Sequence, residues 1–87
     1  MSIDIDNLRK RLIYRSQYRG TKEMDKLIGS FVKTYINKLD INQLNELEKF
    51  LNIDDDTLYK FYNNQITKVV TTSQEILGLF KKFNYNK

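Results

Sequence analysis

The sequence predicts an all-α fold, a single-domain five-helix bundle. Three observations carry this reading. Proline is absent and glycine occurs only 3 times in 87 residues; apolar residues recur at helical spacing; and most apolar stretches follow a side chain able to cap a helix. The length allows one modest core, because a domain this small buries only about 60 to 65% of the surface its unfolded form exposes.

The first helix is expected from Asp6 to Tyr18, with Asp6 or Asn7 as N-cap and Leu8 and Leu12 facing inward. It stops at Arg19-Gly20, since glycine tolerates the left-handed conformation with which helices end. Thr21 caps a second helix, in which Met24, Leu27, Ile28, Phe31 and Tyr35 form a continuous apolar stripe to about Asn37. Asp40 and Gln43 have the spacing of a capping box ahead of Leu44, Leu47, Phe50 and Leu51, a third helix ending near Asn52.

The triplet Asp54-Asp55-Asp56 suits the N-terminus of a short fourth helix carrying Leu58, Tyr59, Phe61 and Tyr62, with Asn63-Asn64 as its stop. Asp55 and Asp56 are assigned to capping rather than to contact. Thr72 and Glu75 open a fifth helix, at about 72–83, with Ile76, Leu77, Phe80 and Phe83 on one side. Val69-Val70-Thr71 reads as an extended connector and residues 84–87 as a frayed end. Short linkers predict an antiparallel core in which neighbours in sequence are neighbours in space. Phe31, Tyr35, Phe50, Phe61 and Phe80 fall at core spacing, so they are assigned to packing and not to stacking on a ligand.

Composition narrows the function. The chain has no Cys and no His, so the usual general base, the thiolate nucleophile and the soft metal ligands are missing. Glu46 and Glu48 stand two apart on a helix and point in different directions, which argues against a catalytic dyad. No G-x-G-x-x-G occurs, so no dinucleotide site is expected. The chain reads as a protein that works by binding, not as an enzyme, with no metal and no permanently bound cofactor. No apolar run approaches the roughly 20 residues that span a bilayer. Met1 to Asn7 contain Asp4 and Asp6, no basic n-region and no small-residue cleavage site, so the expected location is the cytoplasm.

The formal charge of +4 is unevenly spread. Residues 1–40 carry 9 basic and 5 acidic groups, and residues 41–64 carry 2 and 5, an arrangement that favours oriented docking. All four arginines, Arg9, Arg11, Arg15 and Arg19, belong to the first helix or its end, while the other 11 cations are lysines. Arg11, Arg15 and Arg19 are spaced i, i+4, i+8 and are expected to line one face, either as a solvated strip or as a recognition strip for carboxylate or phosphate. A pI near 9.3 and Tyr14 and Tyr18 among the arginines raise nucleic acid as a ligand. The modest charge, the acidic middle and the lack of a clear helix-turn-helix signature argue against it.

Arg19-Gly20-Thr21-Lys22-Glu23-Met24-Asp25 joins the first two helices. Gly20 lets the chain reverse, Arg19 sits at the negative end of one helix dipole, and Glu23 and Asp25 sit at the positive end of the next. A capped turn with a local ion pair explains each residue singly. It explains less well why Arg, Gly and Glu gather at one exposed corner.

Arg11-Leu12-Ile13-Tyr14-Arg15-Ser16 precede this segment, Leu27, Gly29 and Phe31 follow it, and Leu58-Tyr59 lie behind the acidic run. With these flanks the sequence resembles the SdhE-type FAD assembly factors of succinate dehydrogenase, over about residues 7–62. The resemblance implies a small five-helix protein that binds the flavoprotein subunit of succinate dehydrogenase, with fumarate reductase as a related candidate target. It implies a chaperone-like factor that promotes covalent attachment of FAD to a histidine of that subunit, assisting an autocatalytic reaction without holding FAD permanently. The implied partner-binding residues are Arg19, Gly20 and Glu23, with Arg15 and Arg11 beside them. The free protein is expected to be a monomer. A small basic regulatory module binding nucleic acid or a toxin-like protein is the alternative, and a purely structural interaction module is another.

Overall fold

Each amphipathic segment folds as a helix in the computed structural model, which describes residues 4–66 and 74–83. The helices are α1 (Ile5–Ser16), α2 (Lys22–Tyr35), α3 (Ile41–Leu51), α4 (Asp55–Tyr62) and α5 (Gln74–Lys82), with no strand among the described residues. The expected connector at Val69-Val70-Thr71, the cap at Thr72 and the terminal residues 84–87 lie outside the described residues.

Short polar side chains start the first four helices. Asp4, Thr21, Asp40 and Asp54 each accept from the backbone N–H three residues on, satisfying a donor that the helix itself leaves unpaired. At α3 the capping box is complete: Asp40 Oδ1 accepts from the Gln43 N–H at 2.8 Å, and Gln43 Oε1 accepts from the Asp40 N–H at 2.9 Å. The cap of α1 is Asp4 rather than Asp6 or Asn7. Asp4 takes both the backbone and the side-chain N–H of Asn7, which leaves Asp6 to pair with Arg9 at 3.3 Å. In α4 the cap is Asp54, so Asp55 and Asp56 lose their expected role. Asp56 pairs with Lys60 one turn on, and Asp55 turns towards α1.

Helix α1 ends at Ser16, two residues before the expected Tyr18. The fully buried Ser16 hydroxyl donates to the Ile13 carbonyl at 2.6 Å, and the Gln17 N–H donates to Tyr14, tightening the last turn until it breaks.

Three rings hold the centre. Phe31 of α2 meets Phe50 of α3 at 5.4 Å and Phe80 of α5 at 5.2 Å, and Phe50 meets Phe80 at 5.0 Å. Such tilted and edge-on pairs add about 0.5–1.5 kcal/mol each beyond the burial of their area. Tyr62 of α4 packs on Phe80 and donates its hydroxyl to the Phe83 carbonyl at 2.7 Å. Lys81 lies over the Phe61 ring and donates to the Phe61 carbonyl, joining α5 to the end of α4. Leu12, Ile28, Leu44, Leu47, Leu58, Ile76 and Leu77 fill the remaining core, while Tyr35 is half-buried at its edge.

Helix α1 packs on both α2 and α3, and α5 packs on both α3 and α4. The α1–α3 pair is parallel, as alternating helix directions require of a first and a third helix. Arg11 meets Glu48, Arg15 meets Asn52 and Arg19 meets Asp55, an offset of 37, 37 and 36 residues. A constant offset over successive contacts requires both segments to run the same way. Helix α2 carries the chain back between them, so the pairing skips one element.

The Asp54 carboxyl is held below its ordinary 3.8 because the Thr57 hydroxyl and the Thr57 backbone N–H both donate to it. Because the folded value is depressed, this stabilisation is complete above the ordinary carboxylate range and is lost as pH falls through the lowered folded value. Asp54→Asn keeps a capping oxygen and removes the charge. Thermal melts from about pH 6 down to about pH 2 should show the variant less stable at the upper end, with the gap closing at the lower end.

Candidate functional site

The corner between α1 and α2 begins with Gly20, whose φ of +121° is rarely adopted by residues with a side chain. A Cβ built there would lie 3.9 Å from Asp55 Oδ2, an ordinary contact. Backbone conformation, not crowding, therefore calls for glycine. Thr21 then runs extended and caps α2 through its hydroxyl, leaving Gly20, Thr21, Lys22 and Glu23 exposed. Glu23 makes no hydrogen bond or ion pair with any described residue.

Arg19 is placed differently from its expected role as an outward anchor. Its side chain is only 9% exposed. Nε donates to Asp55 Oδ1 at 2.8 Å, one terminal nitrogen donates to the Leu51 carbonyl and the other to the Ile53 carbonyl. Its backbone N–H donates to the Asp25 carboxylate. The physical reason is the planar fork of donors, which matches one carboxylate and two carbonyls at once. Leu51 ends α3 and Asp55 begins α4, so Arg19 satisfies an orphan carbonyl and fixes the next helix in the same set of bonds.

The other two arginines of the strip also lean on α3. Arg15 lies 3.6 Å from Glu48 Oε2 and donates to the Asn52 amide oxygen, and Arg11 lies 3.4 Å from the same Glu48 oxygen with its side chain 57% exposed. Because α1 ends at Ser16, Arg19 continues the strip from beyond the helix rather than from its face. The structure thus gathers Arg11, Arg15 and Arg19 along α3, and sets Gly20 and Glu23 at the adjoining open corner.

Asp55 is the residue sequence reasoning misplaced, since a run of three aspartates before a helix does not say which one caps. Three exposed aromatics also flank this region. Tyr14 and Tyr18 place their ring centroids 4.6 Å apart, and Tyr59 stands one turn along α4 from Asp55. Exposed Tyr beside Arg is a composition enriched at protein interfaces. The sequence places Tyr59 in the apolar stretch of α4 and, with Leu58, among the residues of the family resemblance; its i+4 spacing from Asp55 is the signal that sets the two on one face. Among the described residues no cluster of side chains could hold a metal ion, and no helix is long and apolar enough to cross a membrane.

Residues 10–84 match the family described as the flavinator of succinate dehydrogenase. The chain belongs to this family. It is a family of succinate dehydrogenase assembly factors, as the curated relatives are named. Succinate dehydrogenase assembly factor 2, mitochondrial, of Saccharomyces cerevisiae is 32% identical over 87 residues, covering 95% of this chain and 54% of the relative. The protein of the same name from Aspergillus flavus is 38% identical over 56 residues, 64% of this chain and 19% of the relative. That of Arabidopsis thaliana is 36% identical over 55 residues, 63% and 29% respectively. The chain therefore spans about half or less of the length of these relatives. No solved structure matches the chain significantly.

The flavinator relatives overturn the expected cytoplasmic location, because their names place them in the mitochondrion. That expectation rested on Met1–Asn7 lacking an address signal, a local observation that does not determine a compartment.

Truncating Arg19 leaves the Asp55 carboxylate and two carbonyls unpaired, so Arg19→Ala should lose about 2–4 kcal/mol in urea unfolding. Arg19→Lys should lose nearly as much, since a point charge does not reproduce the fork. Gly20→Ala should cost about 1–3 kcal/mol through backbone strain alone.

Proposed function

We propose that this chain binds the flavoprotein subunit of succinate dehydrogenase in the mitochondrion and promotes covalent attachment of FAD to a histidine of that subunit. Membership of the flavinator family supports this reading. The observation that carries it to a surface is the exposed Gly20–Glu23 corner, whose backbone is held by the internal bonds of Arg19 while Glu23 remains free for a partner.

The chain has neither His nor Cys, the usual acceptors of a covalent flavin. Its contribution is positional. Binding the flavoprotein conformation in which the acceptor imidazole lies against the flavin methyl raises the effective concentration of the two groups without any catalytic side chain from the helper. Formation of the carbon–nitrogen bond would release one proton from the methyl and one from the imidazole, and the partner's oxidised flavin would itself take up the two electrons. The flavoprotein thereby modifies itself, and the helper holds FAD only as cargo of its partner.

Within this reading Glu23 is a direct polar contact and the exposed backbone of Gly20 allows close approach. Arg11, Arg15, Tyr14, Tyr18 and Tyr59 extend the contact surface along α1 and α4. Arg19 is a positioning residue, acting through the corner it fixes.

The test is covalent FAD on the flavoprotein subunit, read as ultraviolet fluorescence of the denatured band, with the chain, without it, and with Glu23→Ala. The band should depend on the chain and weaken about tenfold or more with the variant, whose melting temperature should match the wild type. Equal bands in all three, where flavinylation is incomplete, would overturn the proposal. Unfolding of Glu23→Ala would instead make Glu23 a structural residue.

A further inference from the structure

Most cations of this chain are occupied. Arg9, Arg11, Arg15, Arg19, Lys49 and Lys60 have carboxylate partners, and Lys38 and Lys81 lie over aromatic rings. Among the described residues, Lys10, Lys22, Lys26, Lys33 and Lys82 have no such partner. Lys22, Lys26 and Lys33 stand at i, i+4 and i+11 on α2, which at about 100° per residue places all three on one line of its outer surface.

Gly29 interrupts that line between Lys26 and Lys33. Gln17 at the end of α1 fills the space where a side chain would stand, and an open groove of about 280 Å³ runs beside it, lined by Gln17, Asp25, Lys26, Gly29, Ser30 and Lys33. A Cβ at Gly29 would meet Gln17 Cγ at 3.3 Å, so the glycine also lets the end of α1 approach α2 and form the opposite wall. The Asp25 carboxylate at one end already accepts from the Arg19 N–H, whereas Lys26 and Lys33 have no carboxylate partner among the described residues.

We propose that this groove seats an acidic segment of the protein partner, its carboxylates meeting Lys26 and Lys33 and its backbone lying along Gln17 and Ser30. The charge of the lysine line selects anions. Gln17 offers an amide that both donates and accepts, and Ser30 a hydroxyl that does the same, a set suited to peptide N–H and C=O groups. A nucleic acid fits less well: its charge repeats at every nucleotide, and Glu23 and Asp25 interrupt the same helix surface, whereas a peptide places carboxylates only where lysines meet them. The groove adjoins the Gly20–Glu23 corner through Asp25, so one partner can reach both. The identity of that partner as the flavoprotein rests on the proposed function; the chemistry of the groove does not.

Two arms test this. In the first, the full chain is titrated with a short peptide alternating glutamate and serine and, separately, with a single-stranded oligonucleotide of equal charge, while backbone amide resonances are followed. The peptide should shift Gln17, Lys26, Gly29, Ser30 and Lys33, and the double variant Lys26→Glu, Lys33→Glu should abolish those shifts. Shifts spread equally to Lys10 and Lys82, no shifts at all, or tighter binding of the oligonucleotide would overturn the inference.

In the second arm, affinity for the flavoprotein subunit is measured against salt. The same double variant should bind about tenfold more weakly with a shallower salt dependence, while Lys10→Glu, Lys82→Glu binds as the wild type does. Undiminished binding by the first variant would overturn the inference. Absence of binding by the wild type would sink the proposed function, and the peptide arm would still decide the groove.

Discussion

Arg19 ties two chain reversals together, its own between α1 and α2 and the one between α3 and α4, and the form of the proposed contact corner follows from that tie. From a single side chain, bonds run to the last carbonyl of α3, to the turn beyond it and to the first residue of α4, while the backbone of the same residue is bonded into α2 through Asp25. Taking a guanidinium out of water costs several kcal/mol, and the cost is offset only where its donors are matched. Here three nitrogens find acceptors, so the charge can lie nearly buried and still stabilise. The backbone of the corner is consequently preorganised: a partner meeting Gly20 and Glu23 need not order the turn itself, and the entropic cost of association falls.

The corner is rigid in a second way, because it stands on a helix that also builds the core. Helix α2 presents Phe31 to Phe50 and Phe80 on its inner side and Lys22, Lys26 and Lys33 on its outer side. Its amphipathicity thus divides packing from contact within a single element. The aromatic triangle joins α2, α3 and α5, and Tyr62 adds α4, so displacement of α2 would disturb packing throughout the bundle.

Local features of this fold were legible in the sequence. Thr21 before Met24, the Asp40–Gln43 box and the α2 stripe each depend on residues within a turn or two of one another, and the structure has them where spacing puts them. What escaped was long-range. Spacing assigned Arg11, Arg15 and Arg19 to one face but was silent on what that face meets, which is α3 lying parallel to α1. The premature end of α1 escaped as well, because Ser16 breaks it only once buried with its hydroxyl confined to the Ile13 carbonyl. At the site, Gly20 was legible from its residue type and Glu23 from its place in the first turn of α2. The inward turn of Arg19 was not, since it depends on carbonyls at Leu51 and Ile53 that are more than thirty residues away.

The two kinds of cation are placed differently. The arginines, of which Arg11, Arg15 and Arg19 are expected from the sequence as either a solvated or a recognition strip, all have carboxylate partners within the chain. The guanidinium suits that use, being planar, multidentate and more weakly hydrated than an ammonium. The lysines of α2 remain strongly hydrated point charges without partners among the described residues, which suits them to attraction at a distance and to adjustable contact. In the proposed reading, lysine charge draws an acidic partner in from several directions and the Arg19-held corner sets its orientation; rate of encounter and specificity of docking then rest on different residues, and substitution in one set need not disturb the other.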